Sequence, residues 1–292
     1  MDHAQTSDTP RPKTVLQWLC AQHPEAARTT LRRMVRQGRV TLDGRTVRSV
    51  NEPVGATGRP QVLPSVPRPG PSLAPLVLVH EDEDVLVVAK PAGLLTSTVA
   101  RERRPTAIAI VRAYVKAADA RARPGVIHRL DRDASGLLVF SKNARAFDHL
   151  KRQFFHHTVD RQYVAVVEGV PSARNGRIES RLVELPDGRM VPTRKPSAGQ
   201  RAVTEYRVVR DDGTRAMLHI RLHTGRKHQI RAHLAQRGTP IVGDAVYGKA
   251  GSARSLMLAA VALAFDHPRT GKRVRFELPV PKQLERAVGR CT

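Results

Sequence analysis

The sequence predicts two folded segments. The larger is an α+β domain whose mixed, mainly antiparallel sheet carries flanking helices, and the smaller is an α/β domain in front of it. Three observations predict this. Short apolar runs broken by Gly, Pro and Asp turns recur from residue 76 to residue 278, as in a meandering sheet. Only a few stretches carry the helical period. Five prolines at 64, 67, 69, 71 and 75 separate the two parts, as a semi-rigid linker does. The expected divisions are a disordered tail over 1–13, a small domain over 14–63, the linker over 64–75 and the large domain over 76–292. A chain of 292 residues is long enough for both domains.

In the small domain, Val15, Leu16, Leu19 and Cys20 share one helical face. A second helix is expected over 27–37, stopped by Gly38. Arg28, Arg32 and Arg36 form a stripe on it, with Leu31, Met34 and Val35 on the other side. Val40-Thr41-Leu42, the turn Asp43-Gly44 and Thr46-Val47 read as a hairpin.

The large domain opens with a hairpin of buried strands, 76–79 and 85–88, around an acidic turn. Lys90-Pro91-Ala92-Gly93 is a turn. Helices are expected over 106–116 and over 144–155. Asn143 caps the second, and Phe147, Leu150 and Phe154 share one of its faces. Strands are expected over 162–168, 202–209 and 217–222. The polar stretch 170–200 between them is either a hairpin excursion or a flexible insertion. A helix over 227–236 turns Ile230 and Leu234 inward. A last hairpin joins 261–265 to 274–278.

Lys and Arg number 50 against 26 Asp and Glu, a formal charge of +24. A broadly basic surface calls for a polyanion. An Arg-rich proteome accounts for part of that excess but not easily for all of it. The two cysteines, Cys20 and Cys291, give neither a disulfide framework nor a zinc set. Segment 1–13 lacks the apolar core of a secretory signal, and the apolar run 256–265 is too short to span a bilayer. A cytoplasmic chain without membrane contact is expected.

The most informative stretch is 125–142, with Val126-Ile127 running into His128-Arg129-Leu130-Asp131-Arg132-Asp133-Ala134-Ser135-Gly136 and a second apolar run. A carboxylate between two strands and beside Arg129 and Arg132 stays ionised, and an ionised carboxylate can serve as nucleophile or base. This stretch resembles the signature of the RluA family of pseudouridine synthases: His-Arg-Leu-Asp, two residues, then Thr/Ser-Ser-Gly-Leu-Leu. Ala134 stands where the family usually has Thr. A second block, Thr224-Gly225-Arg226-Lys227-His228-Gln229-Ile230-Arg231-Ala232-His233, resembles the family's Thr-Gly-Arg-x-His-Gln-Ile-Arg-x-His segment. Pro240-Ile241-Val242-Gly243-Asp244 with Tyr247-Gly248 and the strand carrying Tyr163 follow the family order. Leu258-Ala259-Ala260 departs from a frequent Leu-His-Ala.

The resemblance implies a pseudouridine synthase fold and isomerisation of uridine in structured RNA without cofactor or metal. It gives Asp131 the chemistry, pairs it with Arg231 rather than Arg226, and stacks Tyr163 on the uracil. Arg129 fills the gap left by the extruded uridine, and His128 and Arg226 join it as substrate contacts. The small domain resembles the alpha-L RNA-binding domain first described in a ribosomal small-subunit protein, which makes Arg28, Arg32 and Arg36 RNA contacts. An ordinary solvated helix face has the same pattern, and the RNA reading is preferred only beside an RNA-modifying domain. Tyr163 could equally be a core tyrosine at a strand edge. Large-subunit ribosomal RNA is the favoured partner, with transfer RNA second, and the chain is expected to be a monomer with no obligate protein partner.

Other classes fit less well. A non-catalytic RNA-binding or ribosome-assembly factor shares the charge but leaves Asp131 without a reason. Glycosidic hydrolysis normally needs two carboxylates, and only Asp133 lies near. A protein kinase would read His-Arg-Asp and carry Asp-Phe-Gly. His228 and His233 are five apart with no acid among them, which argues against a metal pair.

Overall fold

The computed structural model describes residues 13–36, 38–55, 57–63, 72–98, 104–195, 197–248, 251, 253 and 255–289, and all statements below concern these. The expected tail, apart from Lys13, and residues 64–71 of the proline-rich stretch lie outside them. The chain divides into two compact units, residues 1–70 and 71–292.

In the first unit, α1 (Val15–Gln22) is capped by Thr14, whose hydroxyl accepts the Gln17 N–H. Helix α2 (Arg28–Arg36) follows, then β1 (Val40–Leu42), β2 (Arg45–Thr46) and β3 (Pro60–Val62). Asp43 and Gly44 both have positive φ, 50° and 80°, as the two-residue hairpin turn requires. Val15, Leu19, Leu31, Val35 and Val40 close one core. Arg28, Arg32 and Arg36 lie exposed on the other side of α2. Strand β3 was not anticipated. It pairs antiparallel with β1, and Asp43 accepts the Arg59 N–H just before it.

The second unit is an α+β domain. Its elements are β4 (Val77–Glu81), β5 (Val85–Lys90), α3 (Ala107–Ala118), β6 (Gly125–Val126), β7 (Ser135–Ser141), α4 (Ala144–Phe155), β8 (Asp160–Glu168), β9 (Asn175–Glu184), β10 (Met190–Thr193), β11 (Gln200–Asp211), β12 (Arg215–Leu222), α5 (Gln229–Gln236), β13 (Leu258–Asp266), β14 (Arg273–Glu277) and α6 (Lys282–Arg286). The strands form one sheet in the order β10-β9-β11-β12-β8-β13-β7-β5-β4, with β14 on β13 and β6 on β7. Every pairing is antiparallel except β13 with β7. Alternation sends Leu86, Val88, Leu138 and Phe140 to one face and Val85, Val87, Leu137 and Val139 to the other. Helix α3 covers the first face through Ile108, Val111 and Val115, and α4 covers the second through Leu150.

At the single parallel junction, Ala260 pairs with Gly136. Gly136 has φ 113°, and a Cβ there would fall 2.1 Å from the Ala260 carbonyl oxygen. The glycine lets β13 approach the strand that follows Asp131.

Two expectations are corrected, and the open choice at 170–200 is decided. Strand β4 is not buried: it is a sheet edge, with Val77 64% and Leu78 45% exposed. An apolar run does not reveal whether a neighbour exists on both sides. Stretch 170–200 is indeed a hairpin, β9–β10, but β9 also pairs along its length with β11 and so extends the main sheet. Its polar look arises because exposed positions carry cross-strand pairs, Arg177 with Glu205 and Arg201 with Glu179. Helix α5 starts later than expected, at Gln229, because His228 adopts φ 51°. Helix α6 was not anticipated. Among the described residues no helix is long and apolar enough to cross a membrane.

Candidate active site

Asp131 stands in the loop between β6 and β7, and the backbone on either side of it is pinned. Thr96 holds Leu130 twice: its hydroxyl donates to the Leu130 carbonyl at 2.9 Å and accepts the Leu130 N–H at 3.1 Å. The buried Lys90 ammonium donates to the carbonyls of Pro91 (2.8 Å), Leu94 (2.7 Å) and Arg132 (2.9 Å), which uses all three of its protons. Burial pulls the Lys90 pKa down to about 8, against the opposing charges of Asp133 and Asp131. The Gly93 N–H also donates to Arg132 O. The turn 90–93 thus fixes the loop that presents Asp131.

Arg231, from α5, donates from Nη1 to Asp131 Oδ2 at 3.2 Å. Its Nε and Nη2 each donate to Asp244 at 2.8 Å. Asp244 is itself held by the N–H groups of Val246 and Tyr247. Burial disfavours the Arg231 charge, but Asp244 and Asp131 outweigh it and hold the pKa above its usual value. Burial likewise works against the Asp244 carboxylate, and Arg231 wins there too, keeping it below the usual range. Asp244 therefore aims Arg231 and leaves one nitrogen for Asp131.

His228 lies across the carboxylate, its Nε2 4.0 Å from Asp131 Oδ1. Its Nδ1 is 3.1 Å from the Tyr247 hydroxyl, which accepts the Met190 N–H at 2.7 Å. The Arg231 guanidinium carbon sits 5.2 Å from the Tyr247 ring centroid.

A cavity of about 740 Å³ opens here, lined by Asp131, Tyr163, Arg129, Arg161, Arg226 and Arg231 among others. Tyr163 projects from β8 and is buried; burial raises its pKa, with the nearby Arg161 charge working the other way. Arg129 is exposed at the rim. Arg226 lines the wall but turns its Nε to the Arg201 carbonyl, not to Asp131.

His128 lines the cavity and is also tied into the surrounding fold. Its Nε2 accepts the Val139 N–H at 3.2 Å, and its ring stacks 4.7 Å from Phe154. Burial first, then Arg161 and Lys151, lower its pKa to about 3. It is a neutral wall residue. Arg28, Arg32 and Arg36 belong to the first unit.

Asp82, Asp84 and His267 cluster with ligating atoms within 4.8 Å of one another. The set does not suit a cation. Asp84 takes Arg269 at 2.7 Å and Arg145 at 3.0 Å, and Asp82 takes His80 and His267, both at 2.9 Å. His233 is committed to Thr204 and Ser180, away from His228.

Asp244, Tyr247 and Lys90 stand within the family-like motifs, which alone give them no role. The spacing of Arg161 from Tyr163 on one strand signalled a shared face. Nothing in the sequence pointed to Thr96.

A family model described as RNA pseudouridylate synthase matches residues 84–236, over half of the chain. An uncharacterized RNA pseudouridine synthase of Chlorobaculum parvum is 33% identical over 94% of this chain and 92% of its own. The ribosomal large subunit pseudouridine synthase D of Xanthomonas campestris is 35% identical over 90% and 84%. The solved human RNA Pseudouridylate Synthase Domain Containing 4 superposes with a TM-score of 0.61 at 22% identity, covering 72% of this chain and 90% of its own, which shows the shared fold. The chain belongs to the RNA pseudouridine synthase family, in its RluA branch, and is an isomerase acting on RNA.

Proposed function

We propose that this enzyme isomerises uridine in large-subunit ribosomal RNA, with Asp131 as the catalytic carboxylate. One observation carries the assignment of Asp131: among the described residues lining the cavity it is the one carboxylate. A two-carboxylate hydrolysis has no second partner there. Relatives named ribosomal large subunit pseudouridine synthase D, at 34% and 35% identity, support the choice of RNA.

Uridine leaves the helical stack and enters the cavity, at a cost of a few kcal/mol that is least in a loop. Tyr163 stacks on the uracil. The bond between N1 and carbon 1′ breaks, the ring turns, and carbon 5 bonds to carbon 1′. Asp131 either attacks carbon 1′, forming an ester that carbon 5 then displaces, or removes the carbon 2′ proton and later returns it, and Arg231 aims it. The carbon 5 proton leaves, with the Tyr163 hydroxyl in place to relay it to water as it passes on its own proton, and N1 gains one. Arg129 fills the space vacated in the RNA, and Arg226 lines the approach. Arg28, Arg32 and Arg36, on the first unit, bind RNA as well.

The test is tritium release from carbon 5-labelled uridine in large-subunit ribosomal RNA and in transfer RNA, with pseudouridine mapping in cells with and without the gene. Release from the ribosomal RNA and none from Asp131→Asn is expected. Turnover by Asp131→Asn would refute the role of the carboxylate, and release from transfer RNA alone would move the substrate.

A further inference from the structure

Arg161 is a buried cation with no counter-ion of its own among the described residues. It is 7% exposed, and its Nε is buried with no hydrogen-bond partner. Among the described residues it enters no ion pair. The adjacent Asp160 is committed elsewhere, to Arg221 at 2.9 Å and Arg275 at 3.1 Å. Strand alternation puts Asp160 on the opposite face of β8 from Arg161 and Tyr163.

The chain makes room for this group. The Arg161 guanidinium carbon lies 5.4 Å from the Phe154 ring centroid. On another side it presses on Gly225, where a Cβ would fall 2.3 Å from Nη1. A glycine in the turn before α5 is thus what admits the guanidinium to the cavity wall. No nearby acid among the described residues is free to balance it. Asp131, the cavity's one carboxylate among the described residues, is already paired with Arg231. Arg226 adds a second positive charge beside it, and the two together lower the pKa of His157 on the same wall, after burial.

An unpaired buried cation is costly and is kept where a ligand supplies the missing charge. Two features name the ligand. The site is a planar fork, suited to two oxygens of one anion. It also sits two residues from Tyr163 on the same strand face, about 7 Å along the strand. We propose that Arg161, assisted by Arg226, is a phosphate subsite that takes a phosphodiester flanking the extruded uridine. This rests on the proposal that uridine enters this cavity. The enzyme then grips the target nucleotide at two points, its base at Tyr163 and its backbone at Arg161.

The experiment is a binding cycle on the full chain. A uridine-loop hairpin from large-subunit ribosomal RNA is made with one neutral methylphosphonate linkage at a time around the target uridine. Binding is measured by fluorescence anisotropy in the Asp131→Asn chain, so that RNA binds without turning over, with and without Arg161→Met. One linkage is expected to weaken binding by Asp131→Asn about tenfold, the size of a lost charge-assisted hydrogen bond, and the Arg161→Met double variant by less than about twofold. Arg161→Lys in the same background should recover part of the affinity. Without RNA, Arg161→Met alone should melt no lower than the parent, because it removes a buried unpaired charge. Equal losses in both proteins at every linkage, or a lower melting point with unchanged RNA affinity, would overturn the subsite. Tritium release by the parent chain on the unmodified hairpin separately tests whether uridine is the substrate.

Discussion

Arg231 holds Asp131 with one nitrogen and Asp244 with the other two, joining residues 100 positions apart in one buried network. Asp131 therefore does not carry the burden of neutralising Arg231. Its carboxylate can react, or be replaced by Asn, while Asp244 keeps the guanidinium in place.

Asp244→Ala should be far more damaging to the fold than Asp131→Asn. It leaves a buried guanidinium without its bidentate partner, a loss of about 3–5 kcal/mol. Urea titration of both variants checks this. Asp131→Asn should unfold near the parent midpoint. If Asp244→Ala matched the parent, the aiming role of Asp244 would be wrong.

Gly136→Ala should disrupt the junction of β7 and β13. The added methyl carbon would fall 2.1 Å from a backbone oxygen, and φ 113° is strained for any side chain. Low soluble yield or a melting point lowered by several degrees is expected from a loss of a few kcal/mol. Unchanged melting would mean that β13 can move aside.

Stability should fall as pH drops below about 6.5. Burial lowers His128 to about 3 and His233 to about 4, from an ordinary 6.5. Between those values the unfolded chain binds protons that the folded chain refuses, so acid favours unfolding. Each group adds a slope of up to about 1.4 kcal/mol per pH unit. Melting points from pH 7.5 to pH 4.5, for the parent and His233→Gln, measure it. The variant should give the flatter curve, and parallel curves would contradict the assignment.

Changing Arg28, Arg32 and Arg36 together to Gln should weaken RNA binding and flatten its salt dependence. Each lost phosphate contact lowers the slope of log affinity against log salt by about 0.7 to 0.9. A salt titration on one ribosomal RNA fragment decides it. A slope equal to the parent's would leave the stripe as a solvated face.

The helix cap at Asn143, the Asp43-Gly44 hairpin and most strand positions were legible in the sequence, because capping and alternation are short-range rules. Strand β9 was harder to place, since its exposed charges are balanced by partners on β11 that local composition does not show. Asp131, Tyr163 and Arg231, which the fold brings to one cavity, were nameable together from their motifs. The ties of the His128 ring to Val139 and Phe154 were not legible, because only folding brings those residues together.

By itself, then, the sequence determined an α+β chain of strong positive charge with one distinctive carboxylate and an arginine-bearing helix far from it. Only the tertiary structure decided that Asp244 holds that arginine, that Lys90 and Thr96 pin the loop, and that the buried Arg161 Nε has no hydrogen-bond partner among the described residues. Motif and periodicity act over a few neighbouring residues. Charge compensation in a buried site depends on which distant groups the sheet brings within about 3 Å.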